Sequence, residues 1–240
     1  PTGAASYQVL TTAAPWKLID NRILNSGKVD CHTMVFLVKM DLNQPVPVGD
    51  GSYTPCESTI PGDPVYGEGL YNQSKIDVNE DGTYDEYSED CGDLPQLHHE
   101  KNLLSVDQTG PYTYQVKYEI AVTNSGGAIG TYTLEDEPGF ENDIIILSSS
   151  YSSTAPLNAG GVLGSTGPWT LANDQTIVIG GIHNYVLTVN VKMDLGNPVE
   201  GGDGIYNACE SAIPGDPDFG EGLYNQSKLD FNDDGIWDEY

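Results

Sequence analysis

Tyr112-Thr113-Tyr114-Gln115-Val116-Lys117-Tyr118-Glu119-Ile120-Ala121-Val122 decides the fold class, because its apolar residues fall at every second position. Successive side chains of an extended chain point to opposite faces, so a period of two marks a half-buried strand. The alternation returns where Tyr185, Leu187, Val189, Val191 and Met193 interleave with Val186, Thr188, Asn190, Lys192 and Asp194. Shorter strands are predicted over 131–135, 144–149, 169–171, 176–179 and 223–231. Turn signals separate them at Asn124-Ser125-Gly126-Gly127, Glu137-Pro138-Gly139, Gly160-Gly161 and Gly180-Gly181. About seven strands with such turns predict an all-β chain built from immunoglobulin-like β-sandwich domains.

The chain also repeats itself. Val38-Lys39-Met40-Asp41-Leu42 recurs as Val191-Lys192-Met193-Asp194-Leu195, and Pro15-Trp16 recurs as Pro168-Trp169. Gly67 to Lys75 reads GEGLYNQSK, as does Gly220 to Lys228. All these matches share one offset, 153 residues (193 − 40), so that 1–87 corresponds to 154–240 while 88–153 occurs once. A period of that length is the size of a domain, larger than a solenoid repeat. The expected organisation is a tandem array: residues 1–93 are the later part of one β-sandwich repeat, 94–240 a nearly complete second one, and 90–96 the linker.

The net charge is −27, with a single arginine, Arg22. Between Asp41 and Asp93 the only base is Lys75, and between Asp194 and Tyr240 it is Lys228. Such a surface disfavours nucleic acid and anionic membrane as partners, and bound cations would relieve its self-repulsion. Apolar runs such as 34–38 and 144–147 are far too short for membrane insertion. The chain opens at Pro1 without an initiator Met and is expected to be a mature chain or a fragment.

The acidic segments have a pattern. Asp77-Val78-Asn79-Glu80-Asp81-Gly82-Thr83-Tyr84-Asp85 returns as Asp230-Phe231-Asn232-Asp233-Asp234-Gly235-Ile236-Trp237-Asp238. Oxygen side chains stand at loop positions 1, 3, 5 and 9, with glycine at 6 where the chain must turn sharply. The expected ligands of a Ca²⁺ ion are Asp77, Asn79, Asp81, Asp85 and the Thr83 carbonyl in the first copy. In the second they are Asp230, Asn232, Asp234, Asp238 and the Ile236 carbonyl. Position 12 of the first loop is Ser88, where an EF-hand carries glutamate, and no helical pattern flanks it. The loop is therefore predicted to join β-strands; the alternative is a plain acidic turn. Asp50 and Asp203, each in a Gly-Asp-Gly turn, are candidates for a second calcium site with Asp63 or Glu68.

Cys56 and Cys91 bracket the first acidic module and are predicted to form a disulfide, which favours an extracellular setting. Cys209 repeats Cys56, whereas Cys31 aligns with Asn184 and lies outside the pattern; a Cys31–Cys209 bridge is an open alternative. Asn72 and Asn225 head Asn-Gln-Ser sequons and are either glycosylation sites or strand residues bonded inward. Residues 148–154, rich in Ser and Thr, are either an O-glycosylated stretch or an ordinary polar loop. Adjacent His98 and His99 make a poor joint metal site, since neighbours on an extended chain face opposite ways. Lys117 is a candidate for an isopeptide staple that the sequence alone does not support. No nucleophile elbow, phosphate loop or zinc spacing is present.

Residues Tyr112 to Asn124 followed by Ser-Gly-Gly, then 133–139 (TLEDEPG), then Trp169-Thr170-Leu171, then Leu223-Tyr224-Asn225-Gln226-Ser227 occur in an order that resembles the conserved repeat domain of prokaryotic surface proteins, domain of unknown function eleven. The resemblance covers about 100–232, and again 10–80. It implies a secreted or cell-surface protein of tandem sandwich domains without enzymatic activity. The acidic insertion between Asp194 and Gly222 is larger than a minimal member needs. The expectation is a structural segment of an extracellular fibre or surface layer, partnered head-to-tail by other copies of itself. The alternative is an adhesin whose loops bind glycans.

Overall fold

The computed structural model describes residues 15–20, 22–38, 53–56, 68–196, 201–209, 221–231 and 235–240. The described secondary structure is all strand: β1 (Leu70–Ile76), β2 (Glu86–Gly92), β3 (Leu97–Gly110), β4 (Thr113–Asn124), β5 (Gly130–Pro138), β6 (Ile144–Ser153), β7 (Gly160–Leu163), β8 (Trp169–Ile177), β9 (Ile182–Met193) and β10 (Asn225–Asp230). No helix among the described residues is long and apolar enough to cross a membrane. Two compact units divide the chain, Pro1–Tyr53 with Gln73–Glu89, and Thr54–Asn72 with Asp90–Tyr240.

In the second unit, a five-stranded antiparallel sheet of order β3-β4-β9-β6-β7 and a three-stranded sheet of order β10-β5-β8 form a β-sandwich. The alternation read from the sequence sets its interior. Val116, Tyr118, Ile120 and Val122 of β4 share one buried cluster with Tyr185, Leu187, Val189 and Val191 of β9. Tyr132 and Leu134 of β5, Trp169, Leu171 and Ile177 of β8, and Leu229 of β10 supply the other sheet's half of that cluster. One polar network within it is satisfied: the Tyr132 hydroxyl lies 2.7 Å from both His183 Nδ1 and the Tyr185 hydroxyl. The Asn124-Ser-Gly-Gly turn is held by Asn124, whose Oδ1 accepts the Gly126 amide at 3.1 Å and whose Nδ2 donates to the Ala128 carbonyl at 2.8 Å.

Three elements differ from the sequence reading. The short strands expected over 169–171 and 176–179 are one strand, β8, whose pairing with β5 shifts register and which carries Asp174 at φ 48°. The linker expected over 90–96 begins inside β2. β3 starts at Leu97, directly after the expected linker, and carries His98 and His99.

In the first unit, Thr33 to Val38 adopts no strand, although its repeat, 186–191, lies in the middle of β9. β9 is paired on one side by β4 and on the other by β6, and no stretch of residues 1–93 repeats either of them. Trp16 packs on Phe36 with ring centroids 5.3 Å apart.

Candidate functional site

The first acidic loop closes the hairpin between β1 and β2, where the Asp85 amide donates to the Ile76 carbonyl at 2.9 Å. Its side chains fold back onto the loop's own backbone. Asp77 Oδ1 accepts the Glu80 amide at 2.7 Å and its Oδ2 accepts the Gly82 amide at 2.9 Å. Asn79 Oδ1 takes the Asp81 amide at 3.0 Å, Asp81 Oδ1 takes the Thr83 amide at 2.8 Å, and Asp85 Oδ2 takes the Val78 amide at 2.7 Å. Each predicted side chain is thus oriented by at least one backbone N–H, and Asp77 by two. Gly82 turns at φ 87° and its repeat Gly235 at φ 78°, a conformation that a Cβ would strain.

The second loop repeats these bonds. The Asp238 amide reaches the Leu229 carbonyl at 2.8 Å, and the Gly235 amide reaches Asp230 Oδ2 at 3.1 Å. Asp230 is buried and Ile236 exposed; Asn232 and Asp234 lie outside the described residues. The donor set is all hard oxygen and suits Ca²⁺. The Asp77, Asp81 and Asp85 carboxylates are not gathered as tightly as a second acidic group. Among the described residues, Glu141, Asp143 and Asp203 are the three whose carboxylate oxygens all lie within 4.8 Å of one another.

That second group contains Asp203, named above as a candidate ligand, together with Glu141 and Asp143; Asp50 and Asp63 lie outside the described residues. Asp143 is fully buried, and its Oδ2 accepts the amides of Asp203 and Gly204 at 3.2 and 2.9 Å. Glu221, the repeat of Glu68, lines the adjoining polar pocket of about 220 Å³. Burial first, then the Asp143 and Asp203 carboxylates, push the Glu141 carboxyl above its ordinary range. Nothing in the sequence marks Glu141 and Asp143, because they sit outside the repeated acidic segment.

Cys56 and Cys91 form the predicted disulfide, with Cα atoms 6.1 Å apart. The Cys56 backbone sits on Gly69, where a Cβ would come within 2.6 Å of the Cys56 amide nitrogen. Cys209 sits on Gly222 in the same way, 2.4 Å from that position, and takes no part in the described disulfide. Cys31 is exposed.

His98 and His99 face apart as expected, His98 exposed and His99 buried, yet both ring nitrogens reach the Glu239 carboxylate. His99 Nδ1 lies 3.0 Å from Glu239 Oε2, which also accepts the His99 amide at 2.8 Å, and His98 Nδ1 meets Glu239 Oε1. The partner they share is the residue after the last acid of the second loop. Of the sequons, Asn72 lies in β1 with an exposed side chain, and Asn225 opens β10 with its carboxamide buried. A glycan on Asn225 would have to be added before that strand docks. Lys117 lies on the outward face of β4, between buried Val116 and Tyr118, away from the core where a staple would form.

A different lysine occupies the interior. Lys101 of β3 donates to the Asp136 carboxylate of β5, whose side chain is fully buried. Sequence reasoning passed over this pair because its members lie 35 residues apart on strands of different sheets. The available signal was phase: Lys101 falls in step with buried Leu97 and His99, and Asp136 with Tyr132 and Leu134. No family model matches the chain, and neither does any curated protein or solved structure.

Proposed function

We propose that this chain is a structural segment of an extracellular fibre or surface layer, made of calcium-braced β-sandwich repeats joined head-to-tail. The reading includes the immunoglobulin-like tandem organisation and the surface-protein resemblance of the sequence, and it assigns no enzymatic role. One observation carries it: repeated residues that are buried in the second copy are exposed in the first. Val189 and Val191 are 0% and 1% exposed, while their repeats Phe36 and Val38 are 45% and 59% exposed. Leu229 is 0% exposed and its repeat Ile76 is 52%. A sequence selected to be buried and found open calls for a covering surface, since exposed apolar faces and unpaired strand edges favour association.

The covering element supported by this pattern is a set of strands equivalent to β4, β5 and β6, brought either by a preceding repeat of a longer chain or by another copy through strand addition. The contact is heterologous: the start of one copy meets the sandwich strands of the next. Heterologous contacts that do not close into rings give open filaments. Fixed carboxylates in each acidic hairpin would take Ca²⁺ and quench the charge repulsion between neighbouring copies. The Cys56–Cys91 disulfide is compatible with an extracellular setting.

Electron microscopy of the purified chain with calcium tests this reading. Regular filaments are expected, and a chain carrying Phe36→Asp and Val38→Asp is expected to remain unassembled with the sandwich intact. Dispersed monomers at every concentration, or filaments indifferent to both substitutions, would refute it.

A further inference from the structure

Lys101, Asp136 and Asn225 meet inside the sandwich from three strands, β3, β5 and β10, which belong to two sheets. Lys101 keeps 13% of its side chain exposed and Asp136 none. Its Nζ lies 5.2 Å from the centroid of the Tyr118 ring, which shields it from water. A buried ion pair in such a place seldom contributes more stability than apolar residues of the same volume. This pair is moreover pressed toward its neutral form. Burial, outweighing the attraction of Asp136, lowers the Lys101 amine below its ordinary range, and burial raises the Asp136 carboxyl.

Asn225 gives the independent observation. Its Nδ2 and Oδ1 are both buried, and neither completes a well-formed hydrogen bond. The same is true of Asp136 Oδ1, beside which the Asn225 carboxamide lies closely enough to oppose the rise of the Asp136 carboxyl. An unsatisfied buried amide is costly, so one that a fold keeps calls for an explanation. Here an amine, a carboxyl and a carboxamide are packed together with spare valence on the last two.

We propose that Lys101 and Asn225 join through an intramolecular isopeptide bond, with the Asp136 carboxyl as the acid–base group between them. The neutral Lys101 amine attacks Asn225 Cγ, while the protonated Asp136 carboxyl donates to the carboxamide oxygen where negative charge develops. The Nζ–Cγ bond forms, and Asp136 relays a proton from Nζ to Nδ2. The Cγ–Nδ2 bond then breaks and ammonia leaves. Nothing is oxidised or reduced, and no co-reactant is needed. Asp136 accepts from Lys101 on one side and lies beside the Asn225 carboxamide on the other, which places it as the acid and Asn225 as the electrophile. The bond consumes the same nitrogen that a glycan on Asn225 would require, so the two modifications exclude each other.

Intact-mass spectrometry of the reduced, purified chain decides the matter independently of whether it forms fibres. The expected mass is about 17 Da below that of the sequence, the mass of ammonia. Digestion is expected to yield one branched peptide containing both Lys101 and Asn225. Lys101→Arg and Asp136→Asn are each expected to restore the sequence mass. A parent chain at the full sequence mass would overturn the proposal. A deficit of about 18 Da with the branch at Asp136 would overturn the assignment of Asn225, because water would then have left from the carboxyl.

Discussion

The Phe231 amide donates to Asp238 Oδ2 at 2.9 Å across the tip of the second acidic hairpin, as the Val78 amide does to Asp85 Oδ2 at 2.7 Å across the first. Two loops at the same place in successive repeats therefore share one backbone geometry from the same residue spacing. If that geometry exists to present oxygens to Ca²⁺, the chain melts at a higher temperature in calcium than in excess chelator. A ligand at one hundred times its dissociation constant adds about 2.7 kcal/mol. Asp77→Ala and Asp230→Ala are each expected to remove part of the increment in calorimetry. Equal melting temperatures in calcium and chelator would reduce both loops to acidic turns.

Loss of the Cys56–Cys91 bridge acts through the unfolded chain. It closes a loop of 35 residues, and opening such a loop costs about 3–4 kcal/mol in the entropic account. Cys56→Ser is expected to lower the stability of the hairpin region by that order, read by hydrogen exchange at β1 and β2. Unchanged protection there would show that the bridge is dispensable.

Tyr132→Phe removes the hydroxyl that meets both His183 Nδ1 and Tyr185. His183 is pushed toward its neutral form by burial, so it would keep an unsatisfied ring nitrogen instead of gaining a charge. The expected loss is about 1–3 kcal/mol in denaturant titration. A loss no larger than that of an exposed tyrosine substitution would mean that the network is incidental.

The repeat offers an internal control. Val191→Ala opens a cavity in a closed core and is expected to cost about 2 kcal/mol or more. Val38→Ala, at the same repeat position, is expected to cost under about 0.5 kcal/mol in the dispersed chain and considerably more after assembly. Equal costs in both states would show that Val38 is never covered.

Glu239 sets a pH dependence. Burial works to raise its carboxyl, but bonds from the His99 amide and ring, with the His98 and His99 charges, outweigh this and hold it below the ordinary range. A depressed folded pKa means that the folded chain binds the proton less readily. The stability it contributes is complete above the unfolded value of about 4.3 and is lost as pH falls through the folded value. Glu239→Gln is expected to be less stable than the parent at pH 7, with the gap closing in acid. A gap that stays constant on acidification would assign the effect to packing.

The sandwich was legible because its two long strands, β4 and β9, alternate without interruption, and because the 153-residue offset is ungapped. β3 was harder to see. Its inward positions include His99 and Lys101, so polarity breaks the period that would have announced a strand. β2, Glu-Tyr-Ser-Glu-Asp-Cys-Gly, has the composition of a linker and is a strand because β1 pairs with it. The acidic loops were legible as local spacing. The groupings of Glu141 with Asp203, and of Lys101 with Asp136 and Asn225, were not, because strand pairing brings together residues that no local spacing connects.

Lys101 stands near the point where the chain enters the sandwich, and Asn225 opens its last strand. In a filament under tension, force enters along β3 and leaves along β10. Without a covalent link, that load must be carried in shear by the hydrogen bonds between β10 and β5 and then by the sheets behind them. With the two side chains joined, tension passes from backbone to side chain to backbone, and the 123 residues between them (225 − 101 − 1) lie outside the load path. The domain would then stretch no further than its terminal segments allow, and it would break as a bond breaks rather than unravel.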